Sequence, residues 1–217
     1  ILNLTREKEL IICLQRKPGH FVRHGTVMAL VWPAARVDPA LAEQIRRVIG
    51  LGQQRTPTQD VEYAVNQLVE VSVRAMSPAI NDPFTAMNCL DYLGDGLALL
   101  ASYGERPPQI YFYDHNSRLR LVFGSVTFDQ LLAAAFDMLR HASSDNARVL
   151  LHLLDTIEVI GRASQWPEVR QELLRHVALV EAESLNGALI KPDKQAIRRR
   201  SEALRVQFAD DCETNPA

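Results

Sequence analysis

The sequence is short of cysteine and has no excess of positive charge, and each shortage excludes a class of protein. Its three cysteines, Cys13, Cys89 and Cys212, lie far apart without paired spacing, so neither a zinc site nor a disulfide framework is predicted. The formal net charge is -2, whereas nucleic-acid-binding domains usually carry a marked basic excess. We therefore expect no metal, no cofactor and no nucleic-acid partner, and a reducing compartment.

Long apolar runs are absent as well. The most apolar helical segment, 147–161, is interrupted by His152, Asp155 and Glu158 and falls short of the roughly 20 residues that cross a bilayer. The chain nevertheless begins at Ile1, in the middle of a pattern and without a methionine. We therefore expect a portion of a longer protein, in which membrane segments can lie upstream.

The amino-terminal part has the features of a small β-structure. ELIICLQRK and TVMALVW are rich in β-branched and apolar residues, and Gly19 and Gly25 stand where tight turns require positive φ. The segment resembles the barrel-sandwich module of biotinyl and lipoyl carriers, but Lys17 does not match the modified lysine of those carriers. We predict a structural β-module over residues 1–35.

Most of the remaining chain is typical of helices. Proline after a capping residue at Asp38-Pro39 and Asp82-Pro83, and capping boxes beginning at Thr56 and Thr127, predict helix starts. The run 109–124 reads as a β-hairpin. The sequence thus predicts a mainly α (α+β) fold: a helical domain over 36–209 with the N-terminal β-module, the inserted hairpin and a flexible tail at 210–217.

One stretch, RTPTQDVEYAVNQLVEVSVRAMSPAINDPFTA, contains more polar groups than helix capping requires. Gln67 and Asn88 are among the amides that capping leaves unexplained. If such amides and hydroxyls are buried, they must hydrogen-bond to each other, to water or to a partner. We predict a ligand-binding site or an interface in this stretch. Its candidate residues are Arg55, Thr56, Gln59, Asp60, Arg74, Ser77, Asn81, Asp82 and Thr85.

Three interpretations of this stretch compete. Hydrolases use residue types such as Asp82 and Ser77, but the stretch has no histidine to activate a nucleophile, and a helix of roughly 25–30 Å separates Asp60 from Asp82. Anion binding at the helix N-termini conflicts with the carboxylates already there, which leaves a cation or a neutral polar ligand. In the simplest interpretation, Thr56 and Asp82 are caps, and the arginines are salt-bridge partners.

The runs R-T-P-T-Q-D and S-P-A-I-N-D-P-F-T-A, with the upstream P-G-H-F-V-R-H-G-T, resemble the signature of a family of bacterial predicted membrane proteins, the domain of unknown function 2254. At His20, after P-G, an acidic residue would be common in that family. The resemblance implies several transmembrane helices upstream and no established activity. This chain would be the soluble C-terminal portion.

These observations favour a non-catalytic sensory, regulatory or assembly domain of a bacterial membrane protein, on its cytoplasmic side. The alternative is a hydrolase that uses Asp82 and its neighbours. As partners we expect the upstream transmembrane region, a small polar ligand and a second copy of the chain. In a homo-oligomer, with a dimer favoured, a two-fold axis would bring the Arg55 end of one subunit to the Arg74 and Asp82 end of the other.

Overall fold

A computed structural model describes the backbone of residues 1–214 and the side chains of residues 1–209. The fold is mainly helical with one small mixed sheet, so the predicted α+β class is confirmed. The chain forms two compact units. Unit 1 comprises Ile1–Tyr63 and Arg106–Val126, and unit 2 comprises Ala64–Glu105 and the chain from Thr127 onward.

Unit 1 is built on a four-stranded sheet. Its strands are β1 (Ile11–Leu14), β2 (Ala29–Trp32), β3 (Gln109–Tyr113) and β4 (Leu119–Gly124), in the order β2-β1-β4-β3. Both hairpins are antiparallel, and a parallel pairing of β1 with β4 joins them. The predicted hairpin therefore completes the sheet that the amino-terminal strands begin. The barrel-sandwich character of the N-terminal segment stays a prediction.

Helices cover one face of this sheet. Helix α1 (Leu2–Glu7) precedes β1, and a 3₁₀ turn (Ala34–Arg36) leads into α2 (Pro39–Val48). Asp38 caps α2 as predicted, because its carboxylate accepts the Leu41 N–H at 2.6 Å. The apolar core between sheet and helices contains Leu10, Ile12, Leu41, Ile45 and Leu121.

Unit 2 is a helical bundle. Helix α3 (Val61–Ala75) leads into it, and α4 (Pro83–Ser102), α5 (Phe128–Ala142), α6 (Ala147–Ala163), α7 (Pro167–Asn186) and α8 (Lys191–Thr214) follow. Helix α6 packs against α4, α7 and α8. The largest fully buried side chains of the bundle are Phe136, Phe208, Leu90, Leu97, Leu132, Leu139, Leu150, Leu153, Leu154 and Ile157.

The predicted helix ends of unit 2 are largely confirmed. The capping box of Thr127 and Gln130 opens α5, and Pro83 and Pro167 lie in the first turns of α4 and α7. Helix α8 continues to Thr214, whereas the sequence predicted a flexible tail over 210–217. Residues 215–217 of that tail lie outside the described residues. Within residues 1–214 no helix is long and apolar enough to cross a membrane.

Candidate functional site

Asp60 is the centre of a buried ionic cluster in unit 1. Its side chain is almost fully buried, and Arg55 donates two hydrogen bonds to its carboxylate, Nε to Oδ2 at 2.7 Å and Nη2 to Oδ1 at 3.0 Å. Gly19, at φ +82°, lies directly beneath the carboxylate, since a Cβ built there would stand 1.8 Å from Asp60 Oδ2. The Arg55 guanidinium also lies 5.3 Å from the ring centroid of Tyr63. We call these four residues the Asp60 cluster.

The Asp60 carboxylate is held ionised. Burial opposes its charge, but the hydrogen bonds from Arg55 and from the Tyr63 backbone N–H outweigh that opposition and lower the pKa of Asp60 below its ordinary value. The hydrogen bond to Asp60 raises the pKa of Arg55 in return. The cluster is therefore a permanent ion pair around neutral pH.

Asp60 also caps α3, which corrects the predicted capping box of Thr56 and Gln59. Helix α3 begins at Val61, and Asp60 Oδ1 accepts the Tyr63 N–H at 3.0 Å. Thr56 lies just before a turn, Gln59 is the last residue of that turn and directly precedes Asp60, and both are exposed. Asp60 rather than Thr56 caps the helix because the ion pair with Arg55 holds the Asp60 carboxylate beside the first N–H groups of α3.

Asp82 caps α4 in unit 2, as predicted. Its Oδ1 accepts the N–H groups of Phe84 and Thr85 at 3.1 and 3.2 Å, and its Oδ2 accepts the Thr85 hydroxyl at 2.6 Å. These hydrogen bonds, the Thr85 hydroxyl first, lower the pKa of Asp82. Both carboxylates of the signature are therefore occupied by donors from their own chain.

The turn between α3 and α4 is closed by its own backbone. The Asp82 N–H donates to the Ala75 carbonyl at 2.8 Å, and the Asn81 N–H donates to the Ser77 carbonyl at 2.8 Å. Asn81 adopts φ +49°, a left-handed conformation that asparagine tolerates better than most residues. The S-P-A-I-N-D-P run is thus a defined turn that presents the Asn81 side chain to solvent.

Arg74 takes no part in this turn. Its guanidinium pairs with Glu70 one helical turn back, and its side chain is largely exposed. Gln67 and Asn88 are exposed as well. The structure therefore gathers Ser77, Asn81, Asp82 and Thr85 around one turn of unit 2. Arg55 and Asp60 belong to unit 1.

A cavity of about 400 Å³ opens beside this turn, within unit 2. Ser77, Pro78 and Asn81 line it from the signature. Val73 and Met76, at the end of α3, also line it, as do residues of the α5–α6 connection and the end of α5: Ala142, Ser144, Asp145 and Asn146. Asp145 accepts the Ala188 N–H at 2.7 Å, and Asn146 caps α6.

Sequence reasoning missed the far wall of this cavity. Its signal is the polar run S-S-D-N at 143–146 between two apolar helices, which is also what an ordinary interhelical loop contains. Ser143 adds an unusual feature, because its hydroxyl is buried without a hydrogen-bond partner in the structure. Only the packed bundle brings this run beside the signature turn.

A second polar cluster, between α5 and α7, was also missed. The Arg140 guanidinium, itself buried, pairs with Glu183 and with Asp137. His176 lies beside them, fully buried, with its ring centroid 5.6 Å from that of Phe136 and the two rings nearly perpendicular. Burial, followed by the charge of Arg175, lowers the pKa of His176 to about 4, so this histidine is neutral at pH 7.

In the described part of the chain, no three or more His, Cys, Asp and Glu side chains are placed to hold a metal ion. The chain thus consists of two compact units and carries a structured polar signature. A cavity lies beside the carboxyl-terminal part of this signature. Residues 1–159 match the family described as "Predicted membrane protein (DUF2254)". The chain belongs to this family, as its signature indicated.

Uncharacterized proteins of Mycobacterium bovis and Mycobacterium tuberculosis are similar to this chain. Each is 26% identical over 166 residues, which cover 75% of this chain and 32% of the relative. The chain spans about a third of the length of these curated relatives. No solved structure matches it.

Proposed function

We propose that this chain is a non-catalytic regulatory domain on the cytoplasmic side of a membrane protein, and that it binds a small amine at the cavity beside Asn81. The observation that carries the proposal is the cavity itself, because it joins the family signature to polar groups from another part of unit 2. Residues with two hydroxyls, two amides and one carboxylate line it. Such convergent polar groups are typical of small-molecule sites.

The charges favour a cationic ligand. Asp145 is the one ionisable side chain of the lining. Val73 and Met76 place the carboxyl end of α3 at the same cavity, and a helix C-terminus carries partial negative charge. Both features attract a positive group, whereas Ser77 and Asn81 can hydrogen-bond to it or to a neighbouring hydroxyl.

The state of Asp82 supports binding rather than chemistry. A general base works best with a pKa near the operating pH, and the hydrogen bonds to Asp82 move its pKa the other way. Both of its oxygens already accept hydrogen bonds. The alternative, a hydrolase, would instead rely on Asp145 with Ser77 and Ser144, which share the cavity.

The self-association predicted from the sequence remains a proposal. Arg55 and Arg74 already have partners within their own chain, Asp60 and Glu70. Ionic pairing of these arginines across a two-fold axis therefore has less support than a dimer formed by other groups of the signature.

Asn81→Gly tests the ligand site, because glycine adopts the left-handed conformation and lacks the amide. We expect ethanolamine to raise the Tm of the unchanged chain, its neutral analogue ethylene glycol to have no effect, and Asn81→Gly to abolish the response to ethanolamine. Ser117→Gly is the matched control, since Ser117 also has positive φ (57°) but lies in the β3–β4 turn of unit 1.

Two results would contradict the proposal. One is an equal Tm response to ethanolamine in Asn81→Gly and the unchanged chain. The other is hydrolysis of ester or phosphoester substrates that disappears in Asp145→Asn, a change that keeps an acceptor for the Ala188 N–H. That second result would establish the hydrolase.

A further inference from the structure

The two units carry opposite net charge. Unit 1 contains 12 Lys and Arg against 7 Asp and Glu, a formal charge of +5, whereas unit 2 contains 12 against 19, a formal charge of -7. The overall charge of -2 conceals this division. Clustered basic charge attracts anionic surfaces, and the attraction depends on the salt concentration.

The positive charge of unit 1 is concentrated in the β1–β2 hairpin. From Leu10 to Val37 the chain has no Asp or Glu, but it has Arg16, Lys17, Arg23 and Arg36, of which Arg36 pairs with Glu9. Arg16 and Arg23 are exposed in the long loop between the two strands. His20 and His24 lie in the same loop. The hairpin therefore presents positive charge without carboxylates of its own.

Large apolar side chains are exposed on the same hairpin. Phe21, at the loop, is 85% exposed and Trp32, on β2, is 66% exposed, with Leu30 and Val27 also exposed. Strand β2 alternates: Ala29 and Val31 pack on the core of unit 1, so Leu30 and Trp32 lie on the other face of the sheet. Such a concentration of exposed apolar groups marks an interaction surface.

We propose that the β1–β2 hairpin docks on an anionic phospholipid bilayer, with Phe21, Leu30 and Trp32 at the lipid interface and Arg16 and Arg23 against the headgroups. Tryptophan is enriched at membrane interfaces, where an apolar body and a polar tip both find their environment. The cytoplasmic leaflet carries anionic lipids that attract basic segments. The occupant follows from charge complementarity and from membership of a membrane protein family.

This inference rests on the membrane-side placement in the proposed function but not on the cavity beside Asn81. Flotation with vesicles tests it. The chain should bind vesicles of phosphatidylcholine with phosphatidylglycerol, bind phosphatidylcholine alone far less, and detach at high salt. Asn81→Gly should bind like the unchanged chain. An unchanged chain that binds the anionic vesicles but shows no Tm response to ethanolamine would contradict the ligand site alone, and an unchanged chain that responds to ethanolamine but does not bind the vesicles would contradict the docking alone.

Charge-reversal variants locate the surface. The pair Arg16→Glu and Arg23→Glu should weaken binding to the anionic vesicles roughly thirtyfold or more, because each basic residue near such a surface contributes on the order of fivefold. The pair Arg198→Glu and Arg199→Glu makes the same change of net charge at exposed positions of α8 and should leave binding nearly unchanged. An equal loss from both pairs would overturn the assignment to the hairpin.

Tryptophan fluorescence reports the contact directly. The chain has two tryptophans, Trp32 and Trp166. In Trp166→Phe the emission comes from Trp32, and anionic vesicles should shift it to shorter wavelength. In Trp32→Phe it comes from Trp166 of unit 2 and should not move. A shift of Trp32 emission on self-association without lipid, tighter binding to a single-stranded oligonucleotide than to vesicles, or a shift of Trp166 alone would each overturn the proposal.

Discussion

The two units treat buried charge differently. Unit 1 buries Asp60 and Asp114 as ionised groups, each hydrogen-bonded to an arginine, Arg55 at 2.7 Å and Arg120 at 2.8 Å. Unit 2 buries His176 in its neutral form. A buried charge must be paired or neutralised. Unit 1 pairs its buried carboxylates, whereas the buried histidine of unit 2 gives up its proton.

Arginine shows why the residue type decides between these solutions. Arg140 of unit 2 is as well buried as Arg120 of unit 1, and it too is paired, with Glu183 and Asp137. Its guanidinium cannot lose a proton at any ordinary pH, so pairing is its one solution. Histidine can instead lose its proton and be buried in the neutral form. The stability of unit 2 therefore depends on pH in a range where the ion pairs of unit 1 stay charged.

The largest expected effect is acid destabilisation through His176. The pKa of His176 falls from 6.5 in the unfolded chain to about 4 in the folded chain. Between these pH values the unfolded chain binds a proton at His176 and the folded chain does not, so a falling pH favours unfolding. Stability should therefore decrease by about 3 kcal/mol from pH 6.5 to pH 4. The charged groups facing His176 are Arg175, Asp137, Arg140 and Glu172, in α5 and α7.

Urea unfolding across this pH range measures the effect, and the two tryptophans separate the units. Asp60 and Asp114 have lowered pKa values, about 2 for Asp114, so their contribution is present above the ordinary carboxyl pKa and is lost below it as the pH falls through the folded values. We expect the unfolding free energy reported by Trp166 to decrease already above pH 4, and the unfolding free energy reported by Trp32 to decrease below pH 4. His176→Leu should flatten the first response; an unchanged slope would show another group to be responsible.

The next effect sharpens the contrast on the side of unit 1. Gly19→Ala should cost about 2 kcal/mol, because alanine is strained at φ +82° and its Cβ would displace the paired Asp60 carboxylate. Gly25→Ala is the control: it has the same strain at φ +79° but no atom within 4 Å, so we expect a cost of about 1 kcal/mol. Equal losses in urea unfolding would mean that the Asp60 cluster does not depend on the close approach of Gly19.

The smallest effect concerns Asp82, the half-buried cap of α4. Asp82→Ala should lower the Tm less than Gly19→Ala, because three hydrogen bonds are lost at a site that water can reach. Asp82→Asn should lower it less again, since the amide oxygen can still accept the N–H groups of the first turn. If both changes are equally severe, the charge of Asp82 itself is required for the stability of the cap.

Local features of this protein were predictable from the sequence. The caps at Asp38, Asp82 and Thr127 were recognised because a cap and its helix lie within four residues of each other. The hairpin of β3 and β4 was recognised because a short turn joins two neighbouring strands. The signature also identified the family.

The cap of α3 shows where local reasoning fails. Thr56 and Asp60 both precede an apolar helical pattern, and the sequence favoured Thr56. Asp60 is the cap because Arg55 hydrogen-bonds to its carboxylate and because Gly19, far away in sequence, has no side chain that would collide with it. No window around the helix start contains Gly19.

The sequence by itself determined the α+β class, the hairpin at 109–124, most helix starts and the family. The tertiary structure decided how these parts combine: the parallel pairing of β1 with β4, the Asp60 cluster, and the cavity that brings Asn81 beside Asp145. The reason is physical. Capping and turn formation act over a few residues, whereas a parallel strand pair, a buried ion pair and a cavity wall form between segments that only packing brings together.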